Sequence, residues 1–153
     1  MSELVLDEHG LVQGRAARPI PDGPQHCAAV LDQPVRDTPG AEALVGRSGR
    51  FTYGELDAAV ARAAGALRAL GVGAGDRVGA TMANDVDIVI AFLAAMRVGA
   101  IWVGISGVLA EPEQDYMLRD CDASLHLGRH VPVEEWRERC AAAEPDTSRP
   151  AED

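Results

Sequence analysis

Three alternating glycines, Gly71, Gly73 and Gly75, are the first residues whose type and spacing suggest ligand chemistry. Glycine-rich loops bind dinucleotide phosphates when the glycines stand at positions i, i+2 and i+5 and the loop joins a strand to a following helix. Here the corresponding fifth positions hold Asp76 and Val78, and the glycines follow a predicted helix and precede a strand. We therefore interpret them as turn residues and not as a phosphate loop.

Ser106 is a candidate nucleophile because it lies between two glycines in the sequence GISGV of residues 104–108. A nucleophile elbow requires glycine two residues after the serine and a helix directly after the preceding strand. Val108 breaks this pattern, and the sequence offers no convincing His and Asp partners for a catalytic triad. The pattern indicates a loop serine at the end of a strand.

Four residues could bind a metal: Cys121, His126, His130 and Cys140. Structural zinc sites normally contain at least one close pair of cysteines, and none is present in this set. The simpler interpretation is partly buried cysteines and exposed loop histidines. With Cys27 the chain has three cysteines, an odd number at wide spacing, which is typical of reduced thiols in a cytoplasmic protein.

Asp115 and Asp120 do not support a general-acid pair, because no apolar pocket can be argued around them. The sequence therefore assigns no catalytic, cofactor-binding or metal-binding residue. All 14 basic residues are arginine, so a lysine Schiff base, a lysine nucleophile and a lysine-bearing phosphate loop are excluded within these residues. The net charge of −10 disfavours nucleic-acid binding.

The elements that would position a site follow from residue periodicity. Thr52 and Glu55 match a capping box that begins a helix, which ends before Gly71. The pattern then predicts a strand over residues 77–82, an apolar helix over 86–97, a strand over 100–103, a helix over 111–121, a strand over 124–127 and a helix over 132–143. This β-α-β-α-β order predicts a parallel sheet with right-handed crossovers.

The earlier part of the chain is less regular. We predict a hairpin with strands over residues 43–47 and 50–52, and a short helix over 26–37 that Pro34 would kink or end. The domain organisation expected from these patterns is an irregular arm over residues 1–24, an incomplete α/β domain over 25–143 and a linker or disordered tail over 144–153. No run of 18 apolar residues and no secretory signal is found, so we expect a cytoplasmic protein without a membrane span.

Residues 51–127 resemble the N-terminal region of adenylate-forming acyl-CoA synthetases, the AMP-binding superfamily. The resemblance is carried by an ordered series of phrases: FTYGELDAAVARAAGALRALGVGAGDRV, then TMAND, then FLAAMRVGAIWV. It implies the N-terminal part of that family's large domain, a partial parallel sheet of the doubly wound type with flanking helices. The chain departs from the family at residues 104–107, GISG, where a loop containing proline is usual.

The resemblance implies an AMP-forming ligase that converts a carboxylic acid, ATP and CoA into acyl-CoA through an acyl-adenylate, as in fatty acid metabolism. ATP, Mg²⁺ and CoA are implied for the complete enzyme only. The family's phosphate loop and catalytic lysine are missing from these residues, so we expect a truncated chain that is inactive alone, with no cofactor of its own.

Two alternatives stay open. The chain could be a stand-alone α/β interaction or regulatory module without catalysis, or a small α/β enzyme of unrecognised chemistry. One physical consequence separates the fragment from a self-sufficient domain. The helix over residues 86–97 is apolar on nearly every side, so a fragment covering only one side would expose an apolar patch and self-associate.

Overall fold

The structure, a computed structural model, describes Pro24 and residues 26–149 of the chain. The predicted N-terminal arm lies almost wholly outside the described residues. A single 3₁₀ turn, Cys27–Ala29, precedes the regular elements. These are α1 (Asp32–Asp37), β1 (Glu42–Gly46), β2 (Gly49–Thr52), α2 (Tyr53–Ala69), β3 (Arg77–Ala80), α3 (Val86–Arg97), β4 (Ile101–Gly104), α4 (Glu111–Asp120), β5 (Leu125–Leu127) and α5 (Val133–Ala142).

The three strands β3, β4 and β5 form a parallel sheet in the order β4-β3-β5, which confirms the predicted sheet. The chain leaves β3 through α3 to reach β4, and then returns through α4 to the other side of β3. The carboxyl ends of β3 and β5 therefore flank a topological switch point, where chain connections diverge. The strands β1 and β2 form a separate antiparallel hairpin, as the Ser48-Gly49 turn predicted.

The two faces of the sheet are covered by different helices. Val78 and Ala80 of β3 point toward the main core, which they share with buried residues of α2 and α3. Gly79 points the other way, and a Cβ atom placed on it would lie 2.5 Å from the Leu118 side chain of α4. Glycine at this position lets α4 approach the sheet closely.

Helix α2 begins at the predicted capping box. The backbone N–H of Glu55 donates to Thr52 Oγ1 (3.3 Å), while the Thr52 N–H donates to the Glu55 carboxylate (2.8 Å). The hydrogen bonds that the Thr52 N–H and then the Thr52 hydroxyl donate to this carboxylate lower the pKa of Glu55. The helix ends at Ala69, and Gly71 follows with a φ of +85° that only glycine readily adopts.

The prediction for residues 26–37 was wrong in detail. Pro34 neither ends nor kinks a helix there, because it occupies the first turn of α1. In the first turn of a helix the missing N–H has no intrahelical partner to lose. The preceding residues form the 3₁₀ turn instead.

Residues 144–149 contain no helix or strand, yet they pack along α2. The backbone N–H of Asp146 donates to the Ala61 carbonyl (2.8 Å), and the Asp146 carboxylate pairs with Arg68 (3.2 Å). Gly65 makes room for this segment, since a Cβ atom there would overlap the carbonyl oxygen of Glu144. The described part of the segment is therefore held against α2 at Glu144 and Asp146.

Candidate functional site

A cleft of about 580 Å³ opens at the carboxyl ends of β3 and β4. Ligands of open α/β sheets bind at this end of the strands, so the cleft is a candidate binding site. It is lined by uncharged residues of the two strand ends, of the loops that follow them and of α3: Ala80, Thr81, Met82, Ala83, Asn84, Ile88, Gly104, Ile105, Ser106, Gly107 and Val108. The lining contains no charged side chain, so the cleft has no group to neutralise a phosphate.

The start of α3, beside this cleft, is fixed by the Asp85 side chain. Its carboxylate accepts from the N–H of Val86 (2.8 Å) and from the hydroxyl of Ser48 (2.6 Å) in the hairpin turn. These hydrogen bonds, that of the Ser48 hydroxyl first, lower the pKa of Asp85 to about 2. The carboxylate is committed to holding the hairpin against α3 and is not available as a general acid.

Ser106 lies in the loop after β4, as predicted. Its Oγ accepts a long hydrogen bond from the N–H of Val108 (3.4 Å). Within the part of the chain that the structure describes, no histidine or acidic side chain hydrogen-bonds to this hydroxyl. The geometry gives Ser106 no activating base.

At the switch point, the buried His126 of β5 faces Thr81 after β3, with its Nε2 2.7 Å from the Thr81 hydroxyl. The ring of His130 stands edge-on to it, with centroids 5.3 Å apart. Burial, then the charges of His130 and Arg129, lower the pKa of His126. The neutral ring is thus favoured, and its Nδ1 has no hydrogen-bond partner among the residues that the structure describes.

The structure does not assemble the four candidate metal ligands. His126 and His130 are neighbours, but across residues 26–149 no group of three or more His, Cys, Asp or Glu side chains could hold a metal ion. Cys140 lies instead beside a cleft of about 210 Å³ between α2, α3 and α5. Burial raises the pKa of the Cys140 thiol to about 12, so the thiol is protonated and unreactive.

The remaining candidate residues from the sequence have structural roles. Gly71 and Gly75 adopt positive φ in the turn between α2 and β3, and the N–H of Gly73 donates to the Asp76 carboxylate (2.7 Å). The Gly73 amide is therefore hydrogen-bonded within the turn, whereas the amides of a phosphate loop are free to bind the ligand. Asp115 pairs with Arg129 (2.7 Å) rather than with Asp120.

Sequence reasoning missed the pair formed by Asp57 and Arg97. Arg97 closes the apolar helix α3, and its side chain is only 2% exposed. Its Nη2 lies 2.5 Å from Asp57 Oδ1 of α2, while its Nε has no hydrogen-bond partner within residues 26–149. The only signal in the sequence is an arginine at the end of a helix whose other residues, apart from Asp87, are apolar.

The described residues thus form part of an open, parallel α/β domain whose strand ends line a cleft without phosphate-binding groups. The class defined by this topology is the doubly wound α/β protein. None of the helices in the described ranges combines the length and apolar character that crossing a bilayer requires.

Comparison with known proteins identifies the family. Residues 31–152 match the family described as AMP-binding enzyme, and the chain belongs to that family. A 3-hydroxybenzoate–CoA ligase of Aromatoleum sp. (strain CIB) is 38% identical over 98 residues, which are 64% of this chain and 17% of the ligase. The chain therefore spans only a small part of the length of this curated relative.

Solved structures agree with this assignment. A benzoate CoA ligase from Burkholderia xenovorans LB400 superimposes with a TM-score of 0.74 at 26% identity, covering 84% of this chain and 30% of the ligase. The N-terminal domain of FACL13 from Mycobacterium tuberculosis gives a TM-score of 0.73 at 28% identity, covering 85% of this chain and 39% of that domain. The predicted resemblance and fold class are confirmed.

Proposed function

We propose that this chain builds one supporting part of an AMP-forming acid–thiol ligase, which joins a carboxylic acid to CoA through an acyl-adenylate. The observation that carries the proposal is the superposition of 84% of this chain on a benzoate CoA ligase, with a TM-score of 0.74. The role of these residues is to hold the strand ends and the α3 start in place. The residues that would contact ATP belong to the rest of such a domain.

The chemistry of the site supports a positioning role. Adenylation requires cations and backbone donors directed at the phosphates as charge develops. The cleft at the ends of β3 and β4 carries no charged group, the nearby Asp85 is engaged by Ser48, and the sequence contains no lysine. We infer that the chain alone does not form acyl-adenylate.

The acid that the complete ligase would activate is open between aromatic acids and fatty acids. Benzoate and 3-hydroxybenzoate ligases are among the relatives, and so is a long-chain fatty-acid ligase, FadD13. We further propose a cytoplasmic location, which is supported by three cysteines that form no disulfide with one another.

A segment exchange tests the proposal. Residues 26–149 would replace the superimposed segment of the Burkholderia benzoate CoA ligase, and acyl-adenylate formation would be followed by pyrophosphate exchange with benzoate. We expect the chimera to retain measurable exchange, while the isolated chain shows none with benzoate, 3-hydroxybenzoate or palmitate.

Val78→Asp is the matched control, because a carboxylate at this fully buried position of β3 should unfold the unit and abolish exchange in the chimera. A folded chimera without activity would contradict the proposed function. Exchange by the isolated chain would contradict the positioning role.

A further inference from the structure

The strand β4 has a second edge that no other strand of the described residues covers. Its first edge is bonded to β3: the N–H of Ile101 donates to the Asp76 carbonyl (2.7 Å), and that of Ile105 to the Ala80 carbonyl (2.9 Å). In a parallel pair, residues alternate between pointing their backbone groups toward the partner and away from it. The backbone groups of the odd-numbered residues of β4 therefore hydrogen-bond to β3.

The even-numbered residues, Trp102 and Gly104, consequently present their N–H and C=O groups to the open edge. They stand opposite Val78 and Ala80 in the register of the sheet. Two amides and two carbonyls spaced in this way are the pattern that an added strand pairs with.

The composition of β4 does nothing to protect this edge. Natural edge strands usually carry a charge, a proline or a bulge that blocks pairing with another chain. The sequence IWVG of residues 101–104 has no charge or proline, and Ile101 is 52% exposed. On the α3 face, Trp102 is half-buried against Phe92, with the rings edge to face and their centroids 5.8 Å apart.

The opposite edge of the sheet is different. β5 has three residues, and the carbonyl of His126 already accepts from the N–H groups of His130 and Val131 (3.1 Å each). The turn that follows β5 thereby occupies part of its outer edge. Of the two sheet edges, β4 is the one prepared for addition.

We propose that the open edge of β4 is a docking surface for an uncharged, extended segment from the complementary part of an acyl-CoA ligase domain, which adds as a fourth strand beside Trp102 and Gly104. The proposal rests on the proposed function. This occupant is favoured because the benzoate CoA ligase shares only 30% of its chain with these residues, so most of such a domain lies outside the match. A second copy is disfavoured, since two copies would each bring a net charge of −10 to the contact.

The test uses the full chain and a defined probe, the part of the Burkholderia benzoate CoA ligase outside the superimposed segment, co-expressed with a tag for recovery. Competence of the probe is established first by recovering it with the ligase's own missing segment. Gly104→Pro removes an outward N–H without removing a β3 hydrogen bond, whereas Gly104→Ala keeps it. The nearest atom to an added Cβ at this position is Trp102 Nε1 at 3.6 Å, so the alanine fits.

We expect the wild type and Gly104→Ala to recover the probe and Gly104→Pro to recover at least about tenfold less. Amide hydrogen exchange of the complex should show new protection at Trp102 and Gly104. Equal recovery by both variants, or no recovery by the wild type, would overturn the proposal. The wild type could instead form a complex of two copies that excess probe leaves unchanged and that Gly104→Pro abolishes. This result would assign the β4 edge to a second copy and would also overturn the proposal.

Failure of this proposal is distinguishable from failure of the proposed function. Recovery that depends on Gly104 with no pyrophosphate exchange would retain the docking surface and reject the ligase role. Exchange in the segment chimera together with recovery insensitive to Gly104→Pro would do the reverse.

Discussion

Removing the Asp57 carboxylate should cost the fold more than most substitutions at a partly exposed position. The Arg97 guanidinium is almost wholly enclosed, and Asp57 Oδ1 is its closest acceptor, at 2.5 Å. In Asp57→Ala the charge stays buried, and among the described residues it keeps only one hydrogen-bond acceptor, the backbone carbonyl of residue 57, at 3.4 Å. Breaking a buried ion pair in this way typically costs about 3–5 kcal/mol.

The expected cost is somewhat below that range. Asp57 itself is 28% exposed, so water can reach the guanidinium through the space that the carboxylate leaves. We therefore expect Asp57→Ala to lower the free energy of unfolding by about 2–3 kcal/mol. With a urea m value of about 2 kcal/mol/M for a domain of this size, the midpoint should fall by roughly 1–1.5 M.

A double-mutant cycle separates this mechanism from simple loss of packing. Arg97→Met replaces the buried charge with an apolar side chain of similar length and should cost less than about 1.5 kcal/mol. In the Arg97→Met background, Asp57→Ala should then cost only about 0.5 kcal/mol, because no charge is left unpaired. Urea unfolding followed by far-ultraviolet circular dichroism measures all four proteins, and equal costs of Asp57→Ala in both backgrounds would refute the reasoning.

Three further predictions concern the strand ends and the helix start. Gly128→Ala should lower the free energy of unfolding by at least about 2 kcal/mol, because the φ of Gly128 is +91° and an added Cβ would overlap the Thr81 carbonyl. The control Gly40→Ala adds a Cβ with no described atom within 4 Å, so it should be neutral within about 0.5 kcal/mol in the same urea assay. Burial lowers the folded-state pKa of His126 below 6.5, so the stability that the neutral ring contributes should be complete above pH 6.5 and decline as the pH falls through the folded-state pKa. His126→Gln should flatten this decline in unfolding free energies measured over a pH series. An unchanged slope would contradict the assignment. Thr52→Ala should lose about 1 kcal/mol by removing the α2 cap, with a thermal unfolding midpoint a few degrees lower; an unchanged midpoint would show that the cap is dispensable.

The elements that sequence could predict are those set by local chemistry. The start of α2 at Thr52 depends on a side chain three residues away, and its end depends on the positive φ of Gly71. The helix predicted over residues 86–97 coincides with α3 for the same reason, with a capping aspartate before it and a glycine after it. Strand β3 was predicted two residues too long, since the apolar pattern continues into Thr81 and Met82 after the ladder ends.

What depends on contacts between distant residues could not be predicted. The burial of Arg97 requires the Asp57 carboxylate from another helix, 40 residues away in sequence. The joining of Ser48 to Asp85 spans 37 residues and fixes the hairpin at the start of α3. Neither pair follows a motif, because each is defined by where the helices and hairpin meet. The prediction that residues 144–153 form a linker or tail remains a prediction.

The apolar side chains of helix α3 are buried to very different extents. Its alanines, Ala91, Ala94 and Ala95, are fully buried in the core that α2 shares. Of its larger apolar side chains, Val86 and Ile90 are buried as well. Five others are only half-buried: Ile88, Val89, Phe92, Leu93 and Met96. Large apolar residues stabilise a fold chiefly by leaving water, and most of those on α3 are still partly exposed to it.

This distribution is the reverse of that expected for a helix on the outside of a self-sufficient domain, where the outer face is polar. The outer side chains of α3 and the open edge of β4 lie together, joined by the contact between Phe92 and Trp102. A single covering element could therefore bury the apolar face and satisfy the strand at the same time. On this argument the isolated chain should bind a hydrophobic dye, and occupation of the β4 edge should displace that dye.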